Sequence, residues 1–214
     1  MRTKVYLLLI TLLYTVPVFA QSKWVLKTNK EGISIYESEM PGSKIKALKV
    51  IAFFDATPQQ LAAVIMDVNT ATTWVDHLKS SVLLKRVSPN ELYYYSEVNL
   101  PWPAANRDFV AHLTMKQYPE TKVVEIEGPA VPGYVEQKAG IVRITNSVGK
   151  WIITPVAANQ VKVEYTIHVD PAGSLPAWVV NSFATQAPLE IFKNLRIELE
   201  KPFRKNADLM LSDN

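Results

Sequence analysis

Glu97, Arg107 and Asp108 are the residues whose types and spacing invite chemistry. Glu97 precedes, and the other two belong to, the stretch LPWPAANRDFV, residues 100–110, in which Trp102 stands between Pro101 and Pro103 and the Arg-Asp pair opens a run that otherwise reads as buried strand. A carboxylate or a guanidinium among apolar side chains is costly unless it is paired or meets a ligand. Two readings therefore stand side by side. In one, Glu97 and Arg107 form a structural ion pair; in the other, they line an internal cavity where one of them hydrogen-bonds a ligand head group.

Other chemistries find less support. The chain has 3 histidines, His77, His112 and His168, which neither cluster nor recur at metal-ligand spacing. Asp76-His77 within WVDHLKSS tempts a Ser-His-Asp reading, but a triad must converge in space, and the chain has no G-x-S-x-G elbow. Glycine-rich phosphate loops are absent, and with 0 cysteines there is neither a thiolate metal site nor a disulfide framework. No cofactor and no metal are expected.

Charged groups need elements to hold them, and alternation predicts mostly strands. These are expected at 32–36, 44–54, 82–87, 92–98, 108–116, 122–127, 140–145, 150–155 and 160–169. In the last, Val161, Val163, Tyr165, Ile167 and Val169 share one face, while Lys162, Glu164, Thr166 and His168 share the other. The strand after the Trp102 loop puts Arg107, Phe109, Ala111, Leu113 and Met115 inward, opposite Asp108, His112, Thr114 and Lys116. In the strand before it, Tyr93, Tyr95 and Glu97 fall together, opposite Tyr94, Ser96 and Val98. Across a connection of this length Glu97 and Arg107 are expected to be cross-strand neighbours on the covered face.

Two helices complete the pattern. Thr57-Pro58-Gln59-Gln60 carries a capping hydroxyl, a proline at the first helical position and a Gln three residues after the cap, ahead of LAAVIMDV. The second runs from about Ser174 to Lys201 and stops at Pro202. Its residues Leu175, Trp178, Val179, Phe183, Leu189, Phe192, Leu195 and Leu199 form one broad apolar face, and Pro188 predicts a kink near its middle.

Residues 1–20 read as a signal peptide, with Arg2 and Lys4 before an apolar run that ends in Val18-Phe19-Ala20. Cleavage after Ala20 would export the chain to a periplasm or the exterior. A domain over 21–201 and a tail over 202–214 follow. The chain has 23 basic and 20 acidic residues, so removing Arg2 and Lys4 leaves 21 against 20. That balance argues against a nucleic-acid partner and against purely electrostatic membrane attachment.

The segments GISIYES (32–38), YYYSEVNLPWPAANRDFV (93–110), EQKAGIVRI (136–144), GKWIITPV (149–156) and DPAGSLPAWVVNSF (170–183), in that order, resemble the START family of lipid-transfer domains. The resemblance implies an α+β helix-grip fold of the START/Bet v 1-like kind. In that fold a curved antiparallel sheet wraps a long C-terminal helix, around an internal hydrophobic tunnel that holds one lipid. It also implies that residues 99–106 form a lid loop at the tunnel mouth, where Trp102 would suit the lipid headgroup zone and make transient membrane contact. Sterol-binding members carry an internal arginine where this chain has Leu113, which tells against sterol-type recognition.

The candidate ligand-binding residues are Glu97, Arg107, Tyr95, Tyr93, Trp102, Phe109, Leu113, Tyr165, Trp178 and Phe183. Each of the aromatics alone is also an ordinary core residue; as a set, with Trp74 and Tyr134, they suit an apolar tunnel. The expectation is a monomeric, non-catalytic protein that binds and transfers a lipid or other hydrophobic small molecule. The alternative is a helix-grip enzyme of the polyketide cyclase or aromatase type, with Glu97 as acid or base.

Overall fold

The computed structural model describes residues 23–43, 45–175 and 177–202. The predicted signal peptide lies outside the described residues, as does the predicted tail beyond Pro202. In chain order the strands are β1 (Val25–Lys30), β2 (Ile33–Ser38), β3 (Ala47–Phe54), β4 (Leu78–Ser88), β5 (Glu91–Val98), β6 (Arg107–Gln117), β7 (Val124–Pro129), β8 (Val142–Arg143), β9 (Asn146–Ala157) and β10 (Gln160–Asp170). The helices are α1 (Pro58–Met66) and α2 (Ala177–Glu200), and a 3-10 turn at Val68–Thr73 follows α1.

All ten strands join one sheet in the order β1-β2-β3-β10-β9-β7-β6-β5-β4, with β8 alongside β6. Every neighbouring pair along that order is antiparallel; β8 alone runs parallel to its partner. The predicted strands are present, with one addition and one reduction. β1, VLKTNK, escapes period-2 reading because five of its six residues are exposed, so it shows no apolar face. The predicted strand at 140–145 shrinks to the two residues of β8.

The inward face of the sheet carries Ile33, Ile35, Val50, Ala52, Phe54, Leu92, Leu113, Met115, Val124, Ile126, Ile153, Val161 and Val163, all buried in one apolar cluster. At about 25 cal/mol per Å² of apolar surface removed from water, this burial is the main favourable term in folding. α1 is capped as its sequence predicts: Gln60 N donates to Thr57 Oγ1 at 3.2 Å and Thr57 N to Gln60 Oε1 at 2.9 Å. Its residues Leu61, Ala62, Val64, Ile65 and Met66 then face the core.

The long helix is buried unevenly. In its second half Phe192, Leu195 and Leu199 join the core cluster. In its first half Val179 is buried, but Trp178 is 54% and Val180 45% exposed, and Phe183 stays half-buried. Pro188 sits inside the helix, where it removes a backbone donor at the junction of the two halves. An aromatic group closes the well-packed end: Trp151 stacks on Tyr165 at 4.1 Å and on Phe192 at 5.7 Å, and Trp74 meets Trp151 edge-on at 6.3 Å.

Candidate functional site

The register of β5 against β6 decides which side chains look inward. Leu92 faces Leu113, Tyr94 faces Ala111, Ser96 faces Phe109 and Val98 faces Arg107, so these pairs share the concave, core-lined face. Glu97 lies opposite Asp108, Tyr95 opposite Val110 and Tyr93 opposite His112, on the convex face. This corrects the sequence expectation by one residue. Tyr93, Tyr95 and Glu97 do not line the interior, and Glu97 does not pair with Arg107. A one-residue difference in register moves a whole set of side chains across a sheet. Tyr94, assigned outward, is the interior tyrosine.

On the convex side the 131–141 loop covers what would otherwise be a wet face. Tyr93 stacks on His112 at 4.3 Å and on Tyr134 at 4.8 Å, and Lys138 Nζ lies 4.2 Å from the centre of the Tyr95 ring. Glu97 is 5% exposed and accepts from Lys79 Nζ and Asn106 Nδ2, each at 2.8 Å. The hydrogen bond from Lys79 and then that from Asn106 hold its carboxyl below the usual range. Asp108, wholly buried, takes a two-pronged contact from Arg143, Nε to Oδ1 at 2.6 Å and Nη2 to Oδ2 at 3.0 Å. Arg143 also donates to the carbonyls of Val135 and Glu136, at 3.0 and 3.1 Å, and so ties the loop to β6. Its planar fork suits this bidentate geometry, and it was not among the predicted site residues.

Arg107 points inward as expected, yet its partners are all backbone carbonyls. Nε donates to Pro171 at 3.1 Å, Nη2 to Ala172 at 3.1 Å and Nη1 to Ala105. The residue is 4% exposed, and burial pulls its pKa below the ordinary value. It fastens the end of the Trp102 loop to the link between β10 and α2. Ala172 and Gly173 turn that link with φ of 54° and 63°, and a Cβ on Gly173 would come within 3.7 Å of Arg107 Nη2.

Between the sheet and the first half of α2, inward-facing side chains remain partly uncovered. Phe109, Tyr94, Tyr165, Ile167, Leu48 and Phe183 are all half-buried, although the same strands bury their neighbours completely further along. Tyr94 and Tyr165 are the polar members of this group, each with part of its surface still open to solvent. Desolvation pushes the Tyr94 phenol up to about 12 and Tyr165 higher still, Tyr165 also feeling the Tyr94 charge. Tyr94 meets Phe109 edge-on at 5.9 Å. Tyr165 leans over Gly149, where a Cβ would stand 3.1 Å from its hydroxyl.

The remaining predicted residues separate. Leu113 is a core residue, 5% exposed, packed over Gly128. Phe183 meets His77 at 5.1 Å between ring centres. Trp102 is 88% exposed at the tip of its loop, which excludes the core-packing alternative. Trp178 is more than half exposed and so does not line the interior with Tyr165. A separate open groove of about 510 Å³, lined by Phe53, Asp55, Arg196 and Glu200 among others, lies at the other end of α2 and contains none of the predicted residues.

Known proteins match this arrangement along most of its length. A family model described as START domain covers residues 9–202. An uncharacterised protein of Pseudomonas aeruginosa is 32% identical over 83% of this chain and 87% of its own. The phosphatidylcholine transfer protein of Bos taurus is 25% identical over 84% of this chain and 85% of its own. Among solved structures, a STAR-related lipid transfer protein from Xanthomonas axonopodis superposes with a TM-score of 0.76 at 31% identity, over 83% of this chain and 99% of that one.

Proposed function

We propose, from the premise that this chain belongs to the START domain family, that it is a non-catalytic carrier which holds one lipid between the concave sheet face and the first half of α2. The observation that carries this reading is that the inward-facing side chains Leu48, Tyr94, Phe109, Tyr165 and Ile167, with Phe183 of α2, stay half-buried where the same strands bury other inward residues completely. A filled core would have buried them, since interiors pack as densely as organic crystals. Relatives named as lipid transfer proteins support the ligand class.

The Trp102 loop is the lid in this reading. An indole held out into solvent between two prolines has an apolar body and one donor, a combination that suits a bilayer interface. Arg107 joins the base of that loop to the entry of α2, so the two covers of the cavity share one anchor. Export to a periplasm or the exterior, through the predicted signal peptide, would give such a carrier an aqueous gap to cross. The cyclase alternative needs an interior acid or base, and Glu97, its candidate, sits on the convex face with Lys79 and Asn106.

Native mass spectrometry of the protein purified from its own host, followed by organic extraction, tests the carrier reading directly. A stoichiometric lipid supports it. Trp102→Ala is expected to slow lipid uptake from vesicles severalfold while leaving the unfolding midpoint unchanged, because the side chain is almost wholly exposed. Unchanged uptake rates would remove the loop from the mechanism.

A further inference from the structure

The open groove of about 510 Å³ lies where α2 ends, and none of the side chains assigned to the lipid line it. Arg196, Leu199 and Glu200, spaced three and four apart, turn one face of the helix towards it. The other wall carries Phe53 near the end of β3, half exposed, and Asp55 just beyond that strand. Leu199 and Phe54 give the groove an apolar floor. Its charges are little used among the described residues. The Glu200 carboxylate has no partner, and Asp55 accepts only from Gln160 Nε2 at 3.3 Å. Arg196 Nη1 donates to the carbonyl of Glu31 at 2.7 Å, and its guanidinium meets no carboxylate. An apolar floor edged by both signs of charge asks for an occupant with an apolar stretch and both signs beside it.

Such a segment begins at the groove's own edge. The described chain stops at Pro202, two residues after Glu200, and the sequence continues as FRKNADLMLSDN over 203–214. There Leu209-Met210-Leu211 is an apolar triplet, preceded by Asp208 and by the basic pair Arg204-Lys205. Pro202 has no N–H to extend the helix ladder, so the chain can leave the α2 axis at this point. At about 3.3 Å per residue, residues 203–208 can carry Leu209 to any point within about 20 Å of Pro202, which covers a groove bordered by Glu200. We propose that the groove receives this C-terminal segment of the same chain. The triplet lies against Phe53 and Leu199, Asp208 faces Arg196, and the basic pair faces Asp55 and Glu200. So short a tether presents the segment at an effective concentration on the order of millimolar, which a separate partner does not match. A second copy fits less well, because a stable dimer needs about 1,000 Å² of buried surface and this groove admits only a few side chains. The docked segment pins the C-terminal half of α2 to the end of β3 and leaves motion of the helix to the half before Pro188. This inference stands apart from the carrier reading and does not depend on it.

The chain has no cysteine, so two introduced thiols can be labelled without background. The full chain carrying Asn159→Cys at the groove and Ser212→Cys in the tail is spin-labelled, and the distance between the labels is read by pulsed electron paramagnetic resonance. A short, narrow distribution is expected. It should lengthen and broaden when Leu209→Asp and Leu211→Asp are added, and equally when Phe53→Asp is added on the groove side. The tail substitutions leave the described core untouched and Phe53 is half exposed, so the fold should survive all three. In the unlabelled chain, trypsin cleavage after Arg204 and Lys205 should quicken by about tenfold once Leu209 and Leu211 are both aspartate. A broad distribution in the labelled chain without aspartates overturns the inference, as does a narrow one that the aspartates leave unchanged. Equal cleavage rates overturn it too. A narrow distribution that is lost on mixing with excess unlabelled chain would give the groove to the tail of a second copy, and so overturn docking within one chain.

Discussion

Removing the charge of Asp108 is the sharpest test of how the convex face is built. Asp108 is wholly buried and the Arg143 side chain is 8% exposed, with the two joined at 2.6 and 3.0 Å. Asp108→Asn keeps the volume but replaces one accepting oxygen by an NH2 group that faces Arg143 Nη2. It also leaves a guanidinium with little water and no counter-charge. Breaking one side of a buried pair costs about 3–5 kcal/mol. With a urea slope of about 2 kcal/mol per M, the midpoint should fall by about 1.5–2.5 M. The double variant Asp108→Leu with Arg143→Met removes both charges together and should cost far less than the sum of its two parents, because no charge is stranded. Since Arg143 also holds the carbonyls of Val135 and Glu136, limited proteolysis between residues 131 and 141 should accelerate in Asp108→Asn. A midpoint shift worth less than about 1 kcal/mol, or additive single and double variants, would refute the argument that this pair is desolvated and coupled.

Two further outcomes follow from the same geometry. Because the Glu97 carboxyl is held below its ordinary value by Lys79 and Asn106, its stabilising contribution is present above the unfolded-state pKa of about 4.3 and is lost as pH falls through the lower folded-state value. Glu97→Gln should therefore flatten the acid limb of an unfolding-versus-pH curve, and an unchanged limb would show that other carboxylates govern it. Gly149→Ala places a methyl group 3.1 Å from Tyr165 Oη and 3.3 Å from its Cε2. The ring must shift, at a cost of about 1–3 kcal/mol, and if the carrier reading holds lipid capacity should fall with it; full capacity at wild-type stability would mean that Tyr165 does not border the lipid.

Much of the scaffold was legible because each element carried its own signal. The capping box at Thr57, the period-2 alternation from Val161 to Val169 and the apolar stripe ending at Leu199 each declare an element without help from the rest of the chain. The site was less legible because it depends on register, which is a relation between strands. YYY at 93–95 offers a tyrosine to either face, and nothing within β5 tells which one looks inward. The choice is made by pairing with β6, where Leu92 and Leu113 meet in the core. Arg143 was hidden for a similar reason: a lone arginine between Val142 and Ile144 reads as a solvated position until β8 is laid beside β6 and Asp108 comes within reach. The predicted signal segment and the tail lie outside the described residues, so the structure describes neither.

The adjacent charges of Arg107 and Asp108 also act as a lock on alignment. Arg107 meets three carbonyl oxygens on one side of β6, and Asp108 meets a guanidinium on the other. If β6 slid by a single residue along β5, side chains at these positions would trade faces. A slip in one direction would set the Asp108 carboxylate against the oxygens of Pro171 and Ala172, and a slip in the other would set the Arg107 guanidinium beside that of Arg143. Either mismatch is repulsive and largely shielded from water, so the sheet is penalised whichever way it slips, and apolar residues at the same positions would leave the alternatives far less costly. Two neighbouring letters thus work as a key that fits only one way round, selecting a single alignment for a strand pair whose tyrosines would tolerate either.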